Sequence, residues 1–371
     1  MVSFGKAAIL AASLLLGGQA LAKPCLPKCK NPITRREWRT LSTDERLQYI
    51  DAVKCMMNKP ALTDKKDLPG VSNRYEDFLG THIVRADDVH FVVSTSSGTL
   101  DQVPKADCDQ GVFYPYHRLL VHAYEKEIQS CGWEGGMPYW DWTQDTIDDE
   151  TFISSPIFDN EHGFGGNGEY VPGNWSSPAE GLHVNTPWDV PDRSGGGCLE
   201  TGPFAGLMSN LGPEANIEPN SHCIRRDFSP GSLRNMSGPD AVATGMAQEN
   251  YGFFDRVTEL SIHSGGHWGV GGLYGHMTDK WSSPADPIFW LHHANVDRSW
   301  WSWQSRDLKK RVRDISGPLV AFDYQNAQGG NVTLDHPIDI GETEGMKLKA
   351  TVQDVMHIQK GPLCYQYDKL Y

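Results

Sequence analysis

Apolar residues recur at helical spacing in five stretches of this 371-residue chain. The first opens on Ser42-x-x-Glu45, where side chain and backbone can cap each other. It predicts a helix to about Met57, with Leu47, Ile50 and Met57 near one face. The second, roughly Asn73 to Arg85, places Tyr75, Phe78, Leu79 and His82 at i, i+3, i+4 and i+7, so His82 turns inward with the apolar stripe. The third starts near Pro115, a residue suited to a first helical turn, and runs through His117 to about Gln129. The fourth, Tyr251 to His267, aligns Phe253, Val257, Leu260, His263 and His267. The fifth follows Pro287 and carries His293, Val296, Asp297 and Trp300 to about Arg306.

Between Ser154 and Asp240 periodicity gives way to Gly, Pro, Asn and Ser, which predicts a long covering of loops pinned by cysteines. Beyond Ser316 the pattern becomes strand-like in Leu319 to Phe322, Asn331 to Leu334 and Lys347 to Val352. No repeat of solenoid length is present. The fold expected is mainly α: one domain with a central four-helix bundle, long irregular loops and a few short β-strands.

The predicted helices carry or lead into two groups of three histidines: His82, His90 and His117, then His263, His267 and His293. His263 and His267 are four apart and share one side of a helix. Helix bundles build metal sites from facing side chains in this way. Two sets of three imidazoles without a cysteine suit copper better than a thiolate-rich zinc or iron–sulfur site. Three ligands per ion leave room for dioxygen, and two ions about 3.5–4 Å apart could hold it between them. Asp297, one turn after His293, is expected to accept a hydrogen bond from an imidazole and fix it. Phe113 and Phe289 each precede a ligand by four residues; they wall the site against water or are simply core. In the doublet His292-His293, the spacing to Phe289 and Asp297 favours His293 as ligand. The remaining histidines have no matching context. A zinc protease would need Glu directly after His263, where Ser264 stands, and a dizinc hydrolase would need bridging carboxylates that the ligand contexts lack.

A net charge of −14 argues against nucleic acid or an anionic membrane as partner. Lys6, the apolar run from Ala7 to Leu16 and Ala20-Leu21-Ala22 read as a secretory signal peptide over 1–22, leaving a catalytic domain over 23–371. The apolar run is too short to span a bilayer. All eight cysteines follow it, an even number that favours disulfides in a secreted chain. Asn174-Trp175-Ser176, Asn235-Met236-Ser237 and Asn331-Val332-Thr333 are glycosylation sequons, in keeping with an extracellular glycoprotein.

Several segments together resemble the fungal short tyrosinases and catechol oxidases of the type-3 dicopper family. They are Thr81-His82 with His90 eight later, Phe113-Tyr114-Pro115-Tyr116-His117-Arg118, His263-x-x-x-His267 with Val270-Gly271-Gly272, and Asp286-Pro287-Ile288-Phe289-Trp290-Leu291-His292-His293 through Asp297-Arg298 to Trp300. Arg35-Arg36-Glu37-Trp38-Arg39, Pro138-Tyr139-Trp140-Asp141-Trp142 and Tyr365-Gln366-Tyr367 extend the likeness over nearly the whole mature chain.

The resemblance implies two copper ions, dioxygen and small phenols as reactants, and oxidation of o-diphenols to o-quinones. It makes the second histidine of the doublet the ligand. It also puts the substrate near the second copper, stacked on an imidazole, with Ser264 and Trp268 beside the ligands. A full tyrosinase with strong monophenol hydroxylation is the near alternative. A hemocyanin-like oxygen carrier is the distant one; it needs a shielded site, and a chain ending at Tyr371 is expected to have an open one.

Departures from the family pattern sharpen these expectations. Many relatives carry Asn after the first histidine of the second site, where it helps hold the water credited with deprotonating a monophenol; Ser264 stands there, which implies weak hydroxylation. Asp88 occupies the place of a thioether cysteine. An insertion from Phe91 to Val112 is expected to form a lid tethered through Cys108.

Overall fold

Helix α9 (Ile288–Ser305) forms the centre of the molecule, buried on every side from Ile288 to Gln304. The computed structural model describes residues 26–90, 110–319, 330–340 and 348–371. The expected signal segment, most of the insertion between His90 and Phe113, and the expected strand beyond Leu319 lie outside them. Before α9 come α1 (Thr43–Asn58), α2 (Arg74–Val89), α3 (Phe113–Ser130) and the short α4 (Asp149–Ile153). They are followed by α5 (Pro230–Ser237), α6 (Pro239–Met246), α7 (Tyr251–Thr258) and α8 (Ser264–Gly271). Helix α3 packs on α9, α2 meets α9 through Phe78 against Trp290, and α1 packs on α2 and α3. Strands are short and paired in twos among the described residues: β1 (Ile33–Arg35) lies parallel to β6 (Tyr365–Tyr367), β2 (Met208–Ser209) antiparallel to β3 (His222–Cys223), and β4 (Pro337–Asp339) antiparallel to β5 (Lys349–Thr351). The mainly helical fold is the one the periodicity predicts.

The capping box forms as expected, with the Ser42 hydroxyl accepting from Glu45 N–H and the Glu45 carboxylate accepting from Ser42 N–H. In α1, however, the core face is Tyr49, Ile50, Ala52, Val53 and Met56, while Leu47 is exposed and Met57 half-buried. In α2 all four stripe residues are buried as predicted. Helix α3 begins two residues early, at Phe113, which still leaves Pro115 in the first turn where its missing N–H breaks no bond.

The fourth predicted helix is not one regular helix. Between α7 and α8 lies a π-helical turn, Glu259–His263. Its extra residue shifts the register, so the inward line reads Phe254, Thr258, His263 and His267, and Phe253 and Leu260 are turned outward and exposed. Of the late strands, Asn331 makes only a bridge to Pro318, and Lys349–Thr351 forms within the segment predicted.

The covering between Ser154 and Asp240 is pinned as expected, through the Cys198–Cys223 disulfide. It is also held by Arg226, whose buried guanidinium bonds Asp286 through Nε (2.7 Å) and Nη2 (2.9 Å) just before α9. Sequence periodicity missed α5, whose eight residues are too few to show a stripe. Helix α5 packs closely on α8: a Cβ at Gly269 would stand 2.9 Å from Leu233 Cβ, and one at Gly265 2.2 Å from Ser237 Oγ. Two further disulfides, Cys55–Cys131 and Cys29–Cys364, join α1 to the end of α3 and the N-terminal segment to the C-terminal one.

Asp297 is the largest correction. It holds no imidazole. Its carboxylate instead accepts from Arg118 Nε (2.5 Å), Arg35 Nη1 (3.0 Å), and the hydroxyls of Tyr365 and Tyr367 (2.6 Å each), all buried. Arg35 also donates to Glu125 at 2.7 Å. The guanidiniums lie over aromatic faces, Arg35 at 3.5 Å from the Tyr365 ring centre and Arg118 at 3.7 Å from that of Trp300.

Burial works to raise the Asp297 pKa, but Arg118 and Arg35 outweigh it and hold the carboxyl below its usual range. Its stabilisation is therefore complete above an unfolded carboxylate's pKa of about 3.9 and is lost as pH falls through the lower folded value. Asp297→Asn should leave Arg118 without its carboxylate and Arg35 with Glu125 alone, and destabilise the fold by about 3–5 kcal/mol. Urea unfolding at neutral pH, read as a shift in midpoint, checks this, and a loss below about 1 kcal/mol would remove Asp297 from that role.

Candidate metal centre

His82 lies on α2, His90 caps its end, His117 lies one turn into α3, His263 ends the π turn, His267 lies on α8, and His292 and His293 lie on α9. The fold gathers them into two buried groups. The ligating nitrogens of His82, His90 and His117 lie within 4.8 Å of one another, as do those of His263, His267, His292 and His293. The groups meet at His117 and His293, whose rings stack at 4.3 Å and 15°.

Five of the seven donate Nδ1–H to a backbone carbonyl. His90 uses Ala86 O (3.0 Å), His117 Phe113 O (2.8 Å) and His263 Glu259 O (3.2 Å), in each case the carbonyl four residues back. His82 and His267 reach instead to the segment joining α8 and α9, to Trp281 O (2.7 Å) and Met277 O (2.5 Å). A proton fixed on Nδ1 leaves the Nε2 lone pair bare, the tautomer a metal requires. The Nε2 atoms of His82, His117 and His263 are buried without a partner among the described residues, a cost that a bound ion would remove.

His267 Nε2 and His293 Nε2 stand 3.3 Å apart. Two nitrogens about 2.0–2.1 Å from one tetrahedral ion have about that separation. The donor set fits a metal.

Burial also keeps the rings uncharged. It pushes His82 down to about 4 and His267 to about 3. Burial first, then neighbouring imidazoles, hold His90, His117, His263 and His293 well below the usual histidine value. Both phenylalanines wall the site: Phe113 lies 4.6 Å from the rings of His117 and His263, and Phe289 4.2 Å from His293 and 5.1 Å from His82.

The site nears the surface at His263 and His267, 4% and 8% exposed, and again at His90, 6% exposed. Ser264 and Trp268, one turn apart and each following a histidine, are half-buried beside the first two, and Trp268 packs at 5.1 Å against the exposed Trp188. The Ser264 hydroxyl donates to Glu259 O at 2.7 Å, the same carbonyl that takes the His263 proton. Burial and then the charge of Glu259 push the Asp255 carboxyl well above the usual carboxylate range.

Among the histidines set aside, His222 and His276 face each other at 3.0 Å between Nε2 atoms. His276 Nδ1 accepts from Arg225 N–H, so its proton sits on Nε2 and points at His222; this is a hydrogen bond, not a metal pair. The carbonyl acceptors and the π turn have no side-chain signature and could not be read from sequence. The Trp142 contact to His292 could have been sought in the aromatic run from Tyr139 to Trp142.

The family model for the common central domain of tyrosinase matches residues 72–306. Tyrosinase-like protein phomQ1 of Diaporthe leptostromiformis is 31% identical over 92% of this chain and 79% of its own length. Tyrosinase P of Aspergillus terreus is 29% identical over 94% of this chain and 96% of its own. A solved polyphenol oxidase variant from Thermothelomyces thermophila superposes with a TM-score of 0.74, at 30% identity over 92% of this chain and 91% of that one. The chain belongs to the tyrosinase family. It is a copper-dependent oxidoreductase with a type-3 dicopper centre, reacting with dioxygen and phenols as the family does.

Metal analysis of the copper-loaded protein should therefore give two ions per chain, and His117→Ala or His293→Ala about one. Retention of both ions in His293→Ala would overturn its place among the ligands.

Proposed function

We propose that this protein is a secreted polyphenol oxidase that converts o-diphenols to o-quinones and hydroxylates monophenols only weakly. His82, His90 and His117 hold one copper, and His263, His267 and His293 the other. The bound pair supplies one-electron redox chemistry at each ion, so that two diphenols together give the four electrons that reduce dioxygen to two waters. The chain's own contribution is to aim and shelter that pair. Carbonyls fix the imidazoles, burial keeps them neutral, and Phe113 and Phe289 keep water from the rings.

The observation that carries the reading is the pair of buried triads in ring contact, with the half-buried Ser264 and Trp268 beside His263 and His267. A phenol reaching that side lies against an imidazole with Ser264 and Trp268 beside it. Secretion is supported by the signal-like segment over 1–22, by three disulfides among the described residues, and by the exposure of Asn174, Asn235 and Asn331. No helix among the described residues is long and apolar enough to cross a membrane.

Weak hydroxylation follows from Ser264. Its hydroxyl proton goes to Glu259 O in the π turn, and it has no side-chain carbonyl with which to hold a deprotonating water. The second reading, a full tyrosinase, is favoured by the name of the Aspergillus terreus relative. Initial rates decide: oxidation of a catechol should exceed hydroxylation of the matching phenol by about 10²-fold or more, the scale of a general-base contribution. Ser264→Asn should narrow the gap. Comparable rates in the unaltered protein establish the second reading, and an unchanged ratio in Ser264→Asn removes that residue as the cause.

A further inference from the structure

Three nitrogens complete the second site without His292, yet His292 is fully buried against it. Its ring centre lies 4.5 Å from that of His267, 4.9 Å from His293 and 5.5 Å from His263. On its other side Trp142 Nε1 lies 3.0 Å from His292 Nδ1. An indole N–H donates and cannot accept, so Nδ1 must carry the lone pair and the neutral ring keeps its proton on Nε2. This is the reverse of the five histidines whose Nδ1–H meets a carbonyl. It makes His292 a poor ligand by either nitrogen, since one lone pair is occupied and the other position is protonated.

The arrangement is built into the chain. A Cβ at residue 266 would stand 2.3 Å from His292 Nδ1 and 3.1 Å from Trp142 Nε1, so Gly266, between His263 and His267, opens the gap in which indole and imidazole meet. Trp140 N–H donates to Leu291 O at 3.1 Å and fixes the aromatic run against α9 one residue before His292.

His292 Nε2 is buried and meets no protein acceptor among the described residues. A buried donor without an acceptor is costly. A ring nitrogen of His292 lies within 4.8 Å of the ligating nitrogens of His263, His267 and His293, so an anion held among these three comes within reach of the ring and removes that cost. We propose that His292 is a hydrogen-bond donor of the second metal site, its Nε2–H holding an anionic oxygen or other small anion that enters among His263, His267 and His293. The anion is either solvent-derived or the oxide of a bound phenol. The inference rests on the metal reading of that site.

The test uses the whole copper-loaded protein and two probes followed by absorption: azide for the solvent-derived anion, and 4-nitrophenol above its pKa for the aryl oxide. In His292→Phe, which keeps the ring volume and loses the donor, both coppers should stay. Affinity for at least one probe should fall about ten- to a hundredfold, as for a hydrogen bond to a charged acceptor. His292→Gln, whose amide N–H has a similar reach, should regain most of it. Trp142→Phe, which frees Nδ1 to take the proton, should lose part of it.

The probe that weakens identifies the anion. Unchanged affinity for both probes overturns the proposal, and so does equal weakness in the Gln and Phe variants. Loss of one copper in His292→Phe also overturns it, by making His292 a ligand. If His292→Phe does not fold, Trp142→Phe and His292→Gln decide the matter by the same criteria. Fewer than two coppers in the unaltered protein would instead overturn the metal reading, so the two failures are separable.

Discussion

Everything at the centre of this molecule is referred to one carboxylate. Asp297 lies one turn beyond His293 on α9, and Arg118 directly follows His117 on α3. Their contact at 2.5 Å sets the two helices in register, and with it the stack of His117 on His293 that brings the two triads together. Arg35 from β1 and Tyr365 and Tyr367 from β6 close on the other oxygen of Asp297, so both ends of the described chain are fastened to the helix that carries His293. Such a cluster adds little net stability over a well-packed apolar core, but any other register strands buried charge. Its value here is positional.

The elements legible in the sequence were those written in side chains. The stripe Tyr75, Phe78, Leu79 and His82 announced α2 and the direction of its histidine, because burial and helical spacing coincide there. The six histidines named from the sequence all fall in the two buried clusters, which His292 also joins, and among them only His263 and His267 form a pair four residues apart. Asp297 was misread for the same reason that it was noticed. Its spacing from His293 is that of a hydrogen-bond partner, but the competing donors are Arg35, Arg118, Tyr365 and Tyr367, and only the folded chain brings these together. Leu47 and Leu260 show the complementary error, in which a run of apolar residues was assumed to mark a single buried face.

The π turn was illegible because nothing in Glu259 to His263 forbids an ordinary helix. Its effect is large nonetheless. Without the extra residue, His263 and His267 would sit on the line defined by Phe253 and Leu260, which faces solvent. The inserted residue rotates both inward and leaves Glu259 O to serve His263 Nδ1 and the Ser264 hydroxyl. Irregular helix at this point reconciles a surface helix with a buried site.

The segment between α8 and α9 carries a different consequence. It lends Met277 O to His267 and Trp281 O to His82, one histidine from each triad. It is held in turn by Asp279, whose carboxylate accepts from the N–H groups of Trp281 (2.9 Å), Ser282 (3.0 Å) and Glu214 (2.6 Å). Two metal positions thus share one mechanical support. On the proposed assignment, a thermal fluctuation that lifts this strap would loosen one histidine of each cluster together, so the centre would fail as a unit rather than one ion at a time. The geometry of either half cannot drift through changes in the strap without carrying the other half with it.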